Sequence, residues 1–192
     1  NIKTIYFNLK YLPIHQAIKL PILLSRRVYL REVAGKINIS CPVYHAMVQI
    51  GFGDIGIFDK RMSRSIWNVS GNVVFNGSAH LGQGTKISVD KGGTLTLGKN
   101  FAIAAESAIV VSEDIRFGDN CLLSWDVLIM DSDHHKIIGE DGDVINPPTP
   151  VVIGDKVWIG CRCSILKGSK IPDNSVVGAN TVVTGELMEK NS

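Results

Sequence analysis

A period of six is the feature that most restricts how this chain can fold. Aliphatic side chains recur at Ile153, Ile159, Ile165, Ile171, Val177 and Val183, at Leu97, Ile103, Ile109, Ile115, Cys121 and Val127, and at Val69, Phe75, Leu81 and Ile87. A helix of 3.6 residues per turn scatters such positions around its circumference, whereas residues six apart on extended chain point the same way. Glycine follows the aliphatic residue at Leu81-Gly82, Leu97-Gly98, Ile153-Gly154, Ile159-Gly160 and Val177-Gly178. Each hexad therefore reads as a short strand closed by a corner, where Gly, Asn or Asp is expected to supply a positive backbone angle. Stacked three to a coil, such hexads make an all-β solenoid with Ile153 beneath Ile171.

The 192 residues suit one domain, and a composition with 45% hydrophobic and 20% charged residues is that of a soluble globular protein rather than a disordered one. A net charge of +2 argues against a nucleic-acid partner, but the charge is unevenly spread. Residues 1–36 hold Lys3, Lys10, Lys19, Arg26, Arg27, Arg31 and Lys36 against the single acid Glu32. Lys19 and Pro21 interrupt the best apolar run, so neither a membrane span nor a signal peptide is expected. Asn1 in place of Met implies that native residues precede it. Cys41, Cys121, Cys161 and Cys163 show no disulfide spacing, and Cys121 and Cys163 read as buried thiols. The Cys-x-Cys at 161–163 has no second pair, so no metal is expected, and a cytoplasmic protein is.

Residues 1–50 read as a mixed N-terminal cap with one or two short helices, broken at Pro13 and Pro21, covering the open end of the solenoid. The alternative is a basic amphipathic element resting on an anionic membrane at its inner face. Residues 51–192 read as the repeat region, with a small bulge at Lys91-Gly92-Gly93. Between Val127 and Ile153 the register breaks over residues 131–150, where Asp131-Ser132-Asp133-His134-His135, a glycine-rich turn and Pro147-Pro148-Thr149-Pro150 form one long excursion loop. A long polar insertion in a solenoid is where function is expected.

The run Ser124-Trp125-Asp126-Val127-Leu128-Ile129-Met130-Asp131-Ser132-Asp133-His134-His135-Lys136-Ile137 carries a family resemblance. So do Ile145-Asn146, Val157-Trp158-Ile159-Gly160 and the stretch from Ser175 to Thr184. Together they resemble the left-handed parallel β-helix acyltransferases of the hexapeptide-repeat family, in particular the sugar O-acetyltransferases of capsule and lipopolysaccharide synthesis. The resemblance implies a left-handed helix, acetyl-CoA as acyl donor, a sugar or polysaccharide-precursor acceptor, and a homotrimer with the donor in the groove between subunits. It selects His135, followed two places on by Ile137, as the family's histidine; an ungapped comparison with galactoside acetyltransferases selects His134. Carried over by position, Trp158, Gly160 and Cys161 flank the thioester, and Ala179 and Thr184 touch the pantetheine arm and the nucleotide side. Gly185 stands where the family has a lysine, which leaves Lys167, Lys170 or Lys190 for the 3′-phosphate. A Gly-Asn/Val-Pro-Ala segment that usually follows is absent before Ser192.

A histidine suits this chemistry because a sugar hydroxyl is a weak nucleophile, and attack on a thioester needs a base whose pKa lies near the working pH. Asp131 and Asp133 are candidates either to orient the imidazole or to hold the loop through turn hydrogen bonds to backbone amides. Other solenoid functions fit less well. An N-acetyltransferase of nucleotide-linked amino sugars usually adds an N-terminal nucleotide domain, for which residues 1–50 give no pattern. A γ-type carbonic anhydrase needs three zinc histidines, and of His80, His134 and His135 two are adjacent. A non-catalytic trimeric module leaves the histidine loop unexplained.

Overall fold

In the computed structural model, which describes residues 1–187, the backbone winds through three parallel sheets of seven, seven and six strands. Successive strands enter sheet A, sheet B and sheet C in turn, so each strand pairs with the one a full coil earlier. The hexads set the register: Ile153 lies opposite Ile171, Ile159 opposite Val177 and Ile165 opposite Val183. All six are buried, as are Cys121 and Cys163. One continuous apolar core thus fills the axis of a parallel β-helix.

Most corners take their positive backbone angle on Gly, Asn or Asp as expected, but not on the glycine that follows the aliphatic residue. Gly82, Gly98, Gly154, Gly160 and Gly178 carry no positive φ; that angle falls two residues later, on Gly84, Asn100, Lys156, Arg162 and Asn180, and other corners place it on Glu106, Asn120, Asp126, Gly168 and Asn174. At Gly82, Gly98, Gly154 and Gly160 close stacking is what requires glycine, whereas a Cβ at Gly178 would meet only Thr181 Oγ1 at 3.8 Å. A Cβ at Gly82 would lie 1.6 Å from the Ala104 oxygen, and one at Gly154 would lie 2.2 Å from Asp173 Oδ1. Those aspartates tie the coils together: Asp119, Asp155 and Asp173 each accept, at 2.7 Å, the amide of Lys99, Asp119 and Asp155 respectively.

The solenoid also begins well before residue 51. Strands β1 (Ile22–Leu24), β2 (Tyr29–Val33) and β3 (Lys36–Ile39) already pair with the strands Val48–Phe52, Ile66–Val69 and Asn72–Phe75. Register shifts at Leu30/Glu32 and Ile50/Phe52 and uneven connections hide the hexad there. The cap is therefore only α1 (Ile2–Tyr11) and the short α2 (Ile14–Ala17).

Helix α1 docks through its polar side. Asn8 Oδ1 accepts the Ile22 amide at 3.1 Å while its Nδ2 donates to the Ile22 carbonyl at 2.7 Å. Thr4 Oγ1 accepts the Leu24 amide at 3.1 Å, and Asn1 Nδ2 donates to the Leu24 carbonyl at 2.8 Å. Side chains thus supply the bonds that a further strand would make to the edge of sheet A. Phe7, Tyr11 and Trp67 cluster beneath, with Trp67 Nε1 donating to the Tyr11 hydroxyl at 3.0 Å. The opposite side of α1 leaves Ile2, Ile5, Tyr6 and Leu9 exposed. No helix among the described residues is long and apolar enough to cross a membrane.

Candidate active site

The chain leaves sheet B after the strand Leu128–Met130 and enters sheet C at Val151–Ile153, and residues 131–150 project between them. Asp131 fixes the base of this excursion. It is fully buried, and its carboxylate accepts the amides of Ser112, Glu113 and Asp114 at 2.7–2.8 Å. Both oxygens are committed to the preceding coil, so of the two roles open to Asp131 it has the structural one and does not orient a histidine.

Beyond it, His134 takes the positive-φ position of the turn, at 56°, and its amide donates to Ser132 Oγ at 3.0 Å. His135 follows with its side chain exposed and its carbonyl accepting Asn146 Nδ2 at 2.7 Å. The same nitrogen donates to Asp133 Oδ2 at 2.9 Å, and Asn146 Oδ1 accepts the Ile137 amide at 2.6 Å. Asn146 thereby grips both sides of His135. From the next coil Lys167 donates to Asp133 Oδ2 at 2.5 Å, and this bond, with that from Asn146, holds the Asp133 carboxyl below its ordinary pKa. Asp133 therefore acts on the loop backbone through Asn146 and Lys167.

Farther out the excursion is a hairpin. Ile138 and Val144 form an antiparallel bridge, the Ile145 amide donates to the Ile137 carbonyl at 2.9 Å, and Gly142 makes the tip turn at a φ of 86°. Its sides expose Ile137, Ile138, Val144 and Ile145. An ordered arm with four bare aliphatic side chains is shaped to meet another apolar surface.

Such a surface exists on sheet A. Trp158 points outward in register between Leu122 and Val176, and all three are at least half exposed. Gly160, Cys161 and Ala179 line the adjoining corner between sheets A and B, where the Cys161 and Ala179 amides donate no backbone hydrogen bond among the described residues. Thr184 instead lies at the B-to-C corner, with Lys167 and the excursion. One chain thus brings His135, His134, Asp133 and Thr184 to one corner and Trp158, Gly160, Cys161 and Ala179 to another, with sheet B between them.

Of the lysines considered for a phosphate, Lys167 is committed to Asp133, Lys170 pairs with Glu186 at 3.5 Å, and Lys190 lies outside the described residues. His80 is on sheet A, away from the excursion, and the described residues gather no group of three His, Cys, Asp or Glu side chains fit for a metal. Sequence reasoning missed the clamp of Asn146 and Lys167. The Ile145-Asn146 pair was a visible signal, but its meaning depends on a contact across nine residues.

Residues 150–185 match the family model for the bacterial transferase hexapeptide, six repeats. The galactoside O-acetyltransferase of Escherichia coli (strain K12) is 33% identical over 98 residues, which make up 50% of this chain and 47% of that protein. The putative lipopolysaccharide biosynthesis O-acetyl transferase WbbJ of the same organism is 28% identical over 129 residues, covering 62% of this chain and 65% of the relative. The chain spans about half the length of the curated relatives it matches. The crystal structure of the polySia specific acetyltransferase NeuO superposes with a TM-score of 0.57 at 20% identity, covering 86% of this chain and 67% of that one. That likeness concerns the fold, which is the left-handed parallel β-helix expected from the sequence.

Proposed function

From the match of residues 150–185 to the bacterial transferase hexapeptide model and the likeness to two O-acetyltransferases, we propose that the chain is a hexapeptide-repeat transferase, an acetyl-CoA-dependent O-acetyltransferase acting on a sugar hydroxyl in surface polysaccharide synthesis, with His135 as general base. The observation that carries this reading is the grip of Asn146 on the backbone at His135 and Ile137, which fixes the main chain around an exposed histidine on the excursion. Acetyl-CoA supplies the thioester. The Cys161 and Ala179 amides, one coil apart and without a backbone acceptor among the described residues, suit the amide oxygens of a pantetheine arm. His135 takes the proton of the acceptor hydroxyl as its oxygen attacks the thioester carbonyl. The C–S bond then breaks, and the imidazolium returns the proton to the departing thiolate. The products are an acetyl ester and free CoA.

In this reading the site forms between two copies of the chain, because the histidine corner of one copy needs the sheet A corner of the next. A cyclic trimer supplies three such junctions, and the hairpin aliphatics would cover Leu122, Trp158 and Val176 of a neighbour. The direct experiment is acetyl transfer to a competent sugar acceptor, followed by thiol release. His135→Ala should fold and bind acetyl-CoA yet lose at least ~10² in turnover, the lower end of what a positioned base contributes. His134→Asn, which keeps a residue suited to positive φ, should stay active. A dead His134→Asn beside an active His135→Ala would exchange their roles, and two active variants would remove the enzymatic reading.

A peripheral contact with anionic membranes is a second part of the proposal. It is supported by the outward stripe Ile2, Ile5, Tyr6 and Leu9 of α1, continued by Ile14 and Ile18, with Lys10 and Lys19 nearby. Low-salt sedimentation with anionic but not neutral vesicles is the expected result; equal sedimentation with both would exclude it.

A further inference from the structure

At the N-terminal end of the solenoid, several coils from the excursion, a cleft of about 540 Å³ opens between α1, β1 and the strand Val48–Phe52. Ile5, Leu23 and Phe52 contribute apolar wall. Two polar residues at its inner surface are almost completely buried: Gln83 is 3% exposed and Ser65 is 1%. Neither the oxygen nor the nitrogen of the Gln83 carboxamide, nor the Ser65 hydroxyl, has a hydrogen-bond partner among the described residues. Buried polar groups in folded proteins are nearly always paired, and those left bare weaken the fold. Close by, Thr4 and Asn8 are fully engaged, so the bare atoms are a property of this cleft rather than of this end of the molecule.

The rim has the opposite character. Arg26 and Lys60 border the cleft and are exposed. Arg26 has no acidic partner among the described residues, and Lys60 has only the exposed Asp54 at 3.5 Å. Arg27 is held by the Arg61 carbonyl. The nearby acid Glu106 is taken by Lys86 at 2.7 Å, so it does not cancel the rim. A carboxamide offers a donor beside an acceptor, which matches the edge of another amide or of a nucleobase. Guanidinium and ammonium groups bind a phosphate through charge-assisted hydrogen bonds. We propose that this cleft is a second ligand site, separate from the acetyl-transfer site, for a small phosphorylated molecule whose other end is an amide-type edge. In it the edge pairs with Gln83 and Ser65, an intervening ring lies against Phe52, and the phosphate sits at Arg26 and Lys60.

A pyrimidine nucleotide and an N-acylated sugar phosphate share this chemistry, and titration calorimetry on the full chain distinguishes them. The probes are UMP, N-acetylglucosamine 1-phosphate and inorganic phosphate. At least one organic probe should bind tenfold or more tightly than inorganic phosphate, and whichever is preferred identifies the edge. Gln83→Leu should weaken that probe at least tenfold while its melting temperature holds or rises. Arg26→Gln, a surface change that leaves the fold intact, should also weaken it and reduce the salt dependence of binding. The site is refuted if all three probes bind equally poorly, or if Gln83→Leu binds the preferred probe like the unaltered chain. In the latter case the bare amide is a packing flaw. Neither result bears on acetyl transfer through His135, which is assayed independently.

Discussion

Three backbone amides converge on the one buried carboxylate of Asp131, so Asp131→Ala should lower stability by about 3 kcal/mol or more, because each stranded donor costs about 1–3 kcal/mol. Urea denaturation would show it as an earlier midpoint. Two residues on, Asp133 is exposed and makes its contribution through Lys167 and Asn146. Its carboxyl has a depressed pKa, so this contribution is present above the pKa of the unfolded chain and is lost as pH falls through the lower, folded value. Hydrogen exchange of the 134–146 amides should therefore stay protected into acid where an ordinary aspartate is already protonated, and Lys167→Met should abolish the difference. The sequence offered both aspartates the same pair of roles. Only the fold, which brings Ser112 to one and Lys167 to the other, separates them.

At the scale of elements, the legible parts were those where the hexad runs uninterrupted. From Val69 to Ile87, Leu97 to Val127 and Ile153 to Val183 the aliphatic positions are buried, with Ile153 stacked against Ile171 as the period demands. The first coil was not legible, because β1, β2 and β3 are joined by connections of unequal length and carry charged outward residues such as Arg31 and Lys36 that look like those of a basic cap. The glycine after each aliphatic residue was legible as a corner but not for its cause. At Gly82, Gly98, Gly154 and Gly160 its missing side chain makes room for the next coil, a requirement visible only once two coils are stacked. The break in the hexad after Val127 was legible as chain leaving the stack, and in the structure residues 131–150 run between the strands ending at Met130 and starting at Val151. The internal clamp of the excursion was not legible, because Asn146 and Lys167 act over 11 and 34 residues.

For the molecule as a whole, the separation of the histidine corner from the Trp158 and Gly160 corner predicts complementation. Two inactive variants, His135→Ala and Gly160→Trp, refolded together in equal amounts should regain about a quarter of wild-type activity, since a quarter of randomly formed junctions pair an intact histidine loop with an intact sheet A corner. No recovery, with native mass spectrometry confirming mixed trimers, would mean that each site lies within one chain. The first helix has a consequence of another kind. A stack of parallel coils has no natural length, and its terminal strands are templates for further stacking. By answering the amides of Ile22 and Leu24 with Asn8 and Thr4, α1 gives the solenoid a finite end. A chain shortened to begin at Leu20 should lose that stop and grow end to end, turning a clear solution into filaments that bind thioflavin, whereas Asn8→Leu should do so more slowly.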